Sequence, residues 1–308
     1  MHHRSAFALS DMLTAMALCT LVLFYSYTMI GCGDTGAGKD GKAANEGAAA
    51  KDGAKATVTT TIEEDLKKVK EDNKKLLTEV TSARQHARRM QNGTHVRGIQ
   101  MGMVLYAQGN RDFYPGLNAD GSKATKTVAA IPDQMYGYAT ADGSHVAYRF
   151  AVLLRGNFFS PEYMVSPAET NKGIAVAEVG KNFADGAAYS YALLNISDLK
   201  QPRVGEWRAT NNSRAAVVSD RNIGGEPSGK GAQSIHTNIG EGWRGSVGYN
   251  DNHVNFENTD VLINKFAGPE EIAADKLFSE MEKTERGKSG ADAAMVFKAG
   301  DAYVNQQP

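Results

Sequence analysis

Beyond residue 32 the chain has no cysteine: its two, Cys19 and Cys32, lie in or beside one apolar segment near the N-terminus. The body therefore holds no internal disulfide and no cysteine-ligated metal. An excess of charge of one sign is missing too. A formal net charge of −1 and a pI near 6.7 leave no general basic footprint, so nucleic acid is not an implied partner. Prolines number 8 and aromatics make up 8% of the chain against 32 glycines, which suits a loop-rich body of strands and turns better than a helical bundle. Catalytic signatures are lacking: there is no nucleophile elbow, no paired metal-binding histidines on a helix and no dinucleotide loop. The 7 histidines are scattered, and His86 and His95 read as solvated side chains. These absences weigh against an enzyme, and they call for no catalytic residue, cofactor or metal.

What the chain does have is a long uncharged run, Met12 to Ile30. A helix rising about 1.5 Å per residue needs about 20 residues to cross a bilayer core, and this run reaches that length. His2, His3 and Arg4 precede it and Asp34 follows, so the positive-inside rule keeps the N-terminus cytoplasmic and places the body outside. A cleaved secretory signal has the same order of regions but a shorter apolar part. The expected layout is a basic leader over 1–6, a transmembrane helix over 7–31, a linker over 32–60, an extracytoplasmic domain over 61–266 and a C-terminal helix and tail over 267–308.

The linker is almost all Gly, Ala, Lys, Asp and Thr, too poor in apolar surface to offset the entropy of ordering, and is read as a disordered tether. Within it, Gly33-Asp34-Thr35-Gly36-Ala37-Gly38-Lys39-Asp40 falls one residue short of a phosphate-binding loop. Asp40 stands where a magnesium-binding hydroxyl belongs, and neither flanking element fits.

Thr61-Ile62-Glu63-Glu64 has the form of a capping box, which predicts a helix start at Thr61. Ile62, Leu66, Val69, Leu76, Val80, Ala83, Ala87 and Met90 keep alternating four-and-three spacing, with Asn73 in one core slot. That is a heptad seam, open either to self-association as a coiled coil or to packing on the chain's own domain. Asn92-Gly93 is expected to break the helix before a second one. Strands are expected around 146–154, 174–179, 187–194 and 214–218, forming an antiparallel sheet under the helix of 81–107. Pro269-Glu270-Glu271 predicts an amphipathic helix carrying Ile272, Leu277, Phe278 and Met281, with fraying beyond Arg286. Asp251-Asn252 reads as a two-residue hairpin turn that sets Tyr249 opposite Val254 and Val247 opposite Phe256, with Asn252 tolerating positive φ. Asp251 and His253 can alternatively be read as metal ligands.

Asp11 interrupts the N-terminal apolar stretch at a cost of a few kcal/mol. Read from the basic end, Arg4-Ser5-Ala6-Phe7-Ala8-Leu9-Ser10-Asp11 resembles the leader of type IV pilins and type II secretion pseudopilins. Ala6 stands where that family has Gly, and Asp11 where it has Glu. The resemblance implies peptidase cleavage after Ala6, methylation of Phe7 as the new N-terminus, and pairing of the Asp11 carboxylate with the N-terminal amine of a neighbouring subunit.

Further along, Arg88-Arg89 with Gln91-Asn92, Ile99 to Tyr106, Phe113-Tyr114-Pro115, Ser190-Tyr191-Ala192 and Ala216 to Asp220 follow in order the pseudopilin-like proteins marked by a His, nine residues and Asp-Gly. His236 and Asp251-Asn252-His253-Val254-Asn255-Phe256 match that motif in altered form, with a longer spacing and Asn252 in place of Gly. The fold this implies is α+β: a transmembrane helix, a flexible tether, then a long helix on an antiparallel sheet, pilin-like. The implied role is that of a non-enzymatic subunit of a type II secretion or type IV pilus-like assembly in the inner membrane, single-pass, with its domain in the periplasm. Its implied partners are other pseudopilin subunits, a prepilin peptidase, a platform membrane protein, an assembly ATPase and the lipid bilayer. A competing resemblance is carried by Met29-Ile30-Gly31-Cys32, which is similar to a lipoprotein box. There Cys32 carries lipid and the domain is a tethered envelope-binding protein.

Overall fold

The computed structural model describes residues 47–126, 136–138, 142–184, 186–200, 202–209, 212–224, 231–238, 240–265, 271–278 and 295–298. The chain divides into two compact units, Met1–Glu71 and Asp72–Pro308. No helix among the described residues is long and apolar enough to cross a membrane. The run Met12–Ile30, with Ala6, Phe7, Asp11 and Cys32, lies outside them, as does the linker up to residue 46.

Helix α1 spans Gly47–Gln108 without interruption. The capping box at Thr61 is therefore inside the helix, and residues 47–60, expected in the linker, are helical. Asn92-Gly93 does not break it either. Tertiary packing overrides local propensity here: Val96, Ile99, Met103 and Ala107 are fully buried at three-and-four spacing, and Asn92 and Gln100 on the same face are buried with them. Gly98 and Gly102 serve close approach, since a Cβ on either would lie 2.5 Å from Tyr163 or 2.7 Å from Phe159.

Helix α2, Val146–Arg155, occupies a segment expected to be a strand. Val146, Ala147, Tyr148, Phe150, Ala151, Leu153 and Leu154 are all buried, so the sequence reads as a continuous apolar run with no period to separate helix from strand. Arg149 in its middle is fully buried because its guanidinium caps backbone carbonyls, donating to Gly143 O at 3.1 Å, Leu194 O at 2.7 Å and Ser144 O at 2.6 Å. The segment 174–179 is not a strand. Ala175 N donates to Ala187 O, but Val176 and Val179 stay exposed.

The main sheet contains β1 (Tyr191–Leu194), β2 (Ala216–Asp220), β3 (Gly245–Tyr249) and β4 (Val254–Glu257). A fifth strand comes from near the C-terminus, Met295–Val296, which becomes β7 because β5 (Val261–Lys265) and β6 (Glu271–Lys276) form a separate antiparallel pair. The order is β4-β3-β2-β1-β7, with every neighbouring pair antiparallel. Two expectations fall with β6 and β7. The segment after Pro269 is a strand, not a helix, and the chain beyond Arg286 is not all frayed: Met295, Val296 and Phe297 are fully buried, and the Tyr189 hydroxyl donates to Phe297 O at 2.8 Å.

The β3-β4 hairpin differs from the expected register by one residue. Ser246 pairs with Phe256 and Gly248 with Val254. The turn is therefore three residues, Asn250-Asp251-Asn252, closed by Asn252 N to Tyr249 O at 2.8 Å and Tyr249 N to His253 O at 3.0 Å. The extra residue is drawn inward: Asn250 accepts from the Tyr114 hydroxyl at 3.0 Å and donates to Glu206 O at 2.8 Å. Asn252 does take the left-handed conformation, with φ 66°.

The sheet face bearing Tyr191, Val218, Asp220, Ser246, Gly248 and Phe256 receives the 89–107 part of α1. Gln100 Nε2 reaches Tyr249 O at 2.5 Å, and a Cβ on Gly248 would come within 2.6 Å of the Gln100 amide carbon.

Candidate functional site

At the centre of this helix-sheet contact lies a buried polar cluster organised by Asn92. Its amide nitrogen donates to both Asp220 carboxylate oxygens at 2.9 and 2.8 Å and to Ser246 Oγ at 2.9 Å. Its amide oxygen accepts from Ser166 Oγ at 2.7 Å and the Tyr191 hydroxyl at 2.8 Å. Burial first, then the nearby Asp220 charge, push the Tyr191 hydroxyl well above its ordinary value, so it remains a protonated donor. Asp220 also accepts the backbone N–H of Ser246 at 2.6 Å and pairs with His236 Nε2 at 2.9 Å. The carboxylate is thus fully buried but surrounded by donors, the condition under which a charge is tolerated inside a fold.

His236 arrives on a loop between β2 and β3. The Ser234 hydroxyl holds it by accepting His236 N at 2.9 Å while donating to Arg244 O. Gly240 N donates to Gln233 Oε1 at 2.6 Å and Thr237 Oγ1 to Gly242 O at 3.0 Å, which braces the loop on both sides of His236. Gly245 is required where the loop enters β3, since a Cβ there would lie 2.6 Å from Trp243 and 2.9 Å from Asp220. The His236 ring stands edge-on to Phe256 with centroids 5.2 Å apart, and the Arg89 guanidinium lies 4.7 Å from the centroid of that same ring.

On the outer side of His236 a cleft of about 370 Å³ opens between α1 and this loop, lined by Gln85, Arg88, Arg89, Thr170, Thr237, Asn238, Glu241 and Arg244 as well as His236. Its lining is polar, with Ala168 and Ile235 as the apolar members. The carboxylate nearest in sequence to Thr170, Glu169, turns to Arg221, accepting at 3.0 and 2.9 Å.

The structure separates the residues of the altered family motif. His236 joins the buried cluster, whereas Asp251, Asn252 and His253 form the hairpin turn. There the Asp251 carboxylate accepts from His253 N at 3.1 Å and contacts Nδ1 of the same residue, whose ring stacks on Tyr249 at 4.3 Å. Among the described residues no group of three or more His, Cys, Asp or Glu is placed to hold a metal ion. His95 is not simply solvated: it is half-buried, tilts against Tyr163 at 5.1 Å, and its Nδ1 lies 3.2 Å from Val165 O. His86 is exposed.

In the sequence Asn92 stands out as a helix breaker and Asp220 as a strand end, both on the pseudopilin-like pattern, and nothing local pairs them. The usable signal was an amide on the apolar face of α1, four residues before Val96 and eight before Gln100, which implies buried polar partners without naming them.

No protein-family model matches this chain, and no curated protein or solved structure matches it.

Proposed function

We propose that this chain is a membrane-anchored, non-enzymatic, pseudopilin-like subunit of a secretion or pilus-like assembly, held in the inner membrane by its N-terminal apolar helix with the α+β domain outside. One observation carries this reading: α1 is committed to its own sheet only over its C-terminal part. From Val96 to Ala107 one face of it, Val96, Ile99, Gln100, Met103 and Ala107, is buried. Earlier, Ile62, Leu66, Val69, Leu76 and Val80 keep a heptad spacing and are each about half exposed or more, at 60, 54, 53, 56 and 45%. A soluble domain has no use for a regular apolar seam left exposed among the described residues, whereas an assembling subunit does. Asn73 in the seam fits a contact that must choose one register.

The reading is tested on the mature N-terminus of the full-length protein in its native host, by intact mass and N-terminal peptide mapping. Phe7, methylated on its amine, is the expected terminus. Lipid on Cys32 would overturn it in favour of a tethered envelope-binding protein. An unprocessed Met1 would remove the pseudopilin reading as well.

A further inference from the structure

The geometry points to the cleft beside His236 as a binding site for a tetrahedral oxyanion, phosphate or sulfate, taken either as the free ion or as the terminal ester of a small molecule. Arg88, Arg89 and Arg244 all line it, Arg88 exposed and the other two half-buried. None of the three has an ion-pair partner among the described residues. Three guanidinium groups around a single cleft repel one another, and an anion between them relieves that repulsion.

The carboxylates that could neutralise them are committed elsewhere. Glu169 is held by Arg221 and Asp220 by Asn92, Ser246 and His236. Glu241, the acidic residue in the lining, accepts from Asn238 Nδ2 at 2.9 Å. Three arginines against one glutamate leave a net +2 at the cleft, which suits a dianion better than a single carboxylate.

The side chains around the cleft are also positioned. Phe256 holds the Arg89 guanidinium over its face and the His236 ring at its edge. Asp220 takes Nε2 of His236, and Nδ1 makes no protein hydrogen bond among the described residues. Guanidinium forks match the oxygens of phosphate and sulfate two at a time, and Thr170 adds a hydroxyl at the wall. About 370 Å³ holds a phosphate with a sugar-sized substituent but not an extended polymer. The site is independent of the assembly reading, since it uses none of the heptad seam.

The test is calorimetric titration of the purified full-length protein with sodium phosphate, sodium sulfate and glucose 6-phosphate, each at ionic strength matched with chloride. Saturable one-site binding of phosphate or sulfate is expected. Arg88→Gln combined with Arg244→Gln is expected to weaken it by at least about tenfold, the scale of losing one charged hydrogen bond, while Lys126→Gln leaves it unchanged. Tighter binding of glucose 6-phosphate than of inorganic phosphate assigns the site to an ester, and equal or weaker binding to the free ion. Protection of Arg88 and Arg244 from phenylglyoxal by phosphate, mapped by mass spectrometry on the unmutated protein, gives a readout that needs no variant to fold. No saturable heat above the chloride background, unweakened binding in a folded double variant, or no protection overturns the proposal.

Discussion

Asn92 on α1 and Asp220 at the end of β2 lie 128 positions apart in sequence, yet the amide donates to both carboxylate oxygens at 2.8 to 2.9 Å with neither residue exposed to solvent. This pair fixes the register between helix and sheet, because Tyr191, Ser166 and Ser246 close around the same amide. Sliding the helix by one residue breaks five hydrogen bonds at once.

Asn92→Ala leaves a buried carboxylate short of donors and two hydroxyls without their acceptor. At about 1–3 kcal/mol for each group left unmatched, with partial relaxation, a loss of about 3 kcal/mol in urea unfolding is expected. Asn92→Asp turns one of the carboxylate's donors into a second acceptor against Asp220 and is expected to destabilise the protein at least as much as Asn92→Ala at pH 7. An Asn92→Ala variant within about 0.5 kcal/mol of wild type, the range of ordinary surface changes, would sink the claim that this cluster fixes the register.

Gly93 tests the continuity of α1. A Cβ there meets Val254 Cγ1 at 3.9 Å, an ordinary contact, within an uninterrupted helix. Gly93→Ala is therefore expected to stabilise the protein by about 0.5–1 kcal/mol through helix propensity. Gly143→Ala is the contrast: its Cβ would lie 2.1 Å from Gly116 O, so backbone must move and a clear fall in melting temperature is expected. Destabilisation by Gly93→Ala would mean the helix breaks at Asn92-Gly93 in solution.

Those two glycines also mark the limits of reading this fold from sequence. A helix over 81–107 lying on the sheet was legible because a 3.6-residue period shows where one side is buried, as Val96, Ile99 and Met103 are, and the other is not. Strands β1 and β2, buried at every position, were legible as short apolar runs bounded by Gly, Asn and Asp turn residues. Helix α2 was not, since burial nearly all round erases the period. The hairpin was placed but its register was not, because nothing local reveals that Asn250 is pulled in by Tyr114 and Glu206. The pairing of His236 with Asp220 and the gathering of Arg88, Arg89 and Arg244 depend on long-range topology. The altered motif names His236 but couples it to Asp251, which lies in the hairpin turn, not to Asp220.

Acid sensitivity should come from Glu169. Burial by itself would raise its carboxyl, but the Arg221 hydrogen bonds and charge, with the Asn171 backbone N–H, hold it below the usual carboxylate range. An unfolded glutamate titrates near about 4.3, so the stabilisation is fully present above that pH and is lost as pH falls through the lower folded value. Glu169→Gln is expected to lower stability at pH 7 and to flatten its decline below about pH 4.3, measured by urea unfolding across pH. A parallel decline in wild type and variant would exclude Glu169 as the source.

His95 acts in a higher window. Burial lowers its ring below the ordinary histidine value, against the opposing bond to Val165 O. The unfolded chain therefore binds the proton more readily, and stability is full above about pH 6.5 and falls as pH drops from there toward the depressed folded value. His95→Phe, which keeps the ring contact with Tyr163, is expected to remove the slope that sets in below about pH 6.5. An unchanged slope in thermal melts over that range would assign it to another group.

The seam on α1 gives the most direct check on assembly. Leu76 and Val80 are 56 and 45% exposed and make no claim on the core of their own domain. Replacing both by Glu should therefore leave the thermal midpoint within about 2 °C, in line with the small effects of surface substitutions. If the seam is the contact between subunits, the same double variant should sediment as a smaller species than the wild-type full-length protein, because two buried carboxylates oppose a helix-helix interface. Asn73→Leu should act in the opposite direction, strengthening association while relaxing register, as removal of a core Asn does in coiled coils. Equal sedimentation of wild type, the Leu76→Glu/Val80→Glu variant and Asn73→Leu across a hundredfold concentration range would show that this face is not used for assembly.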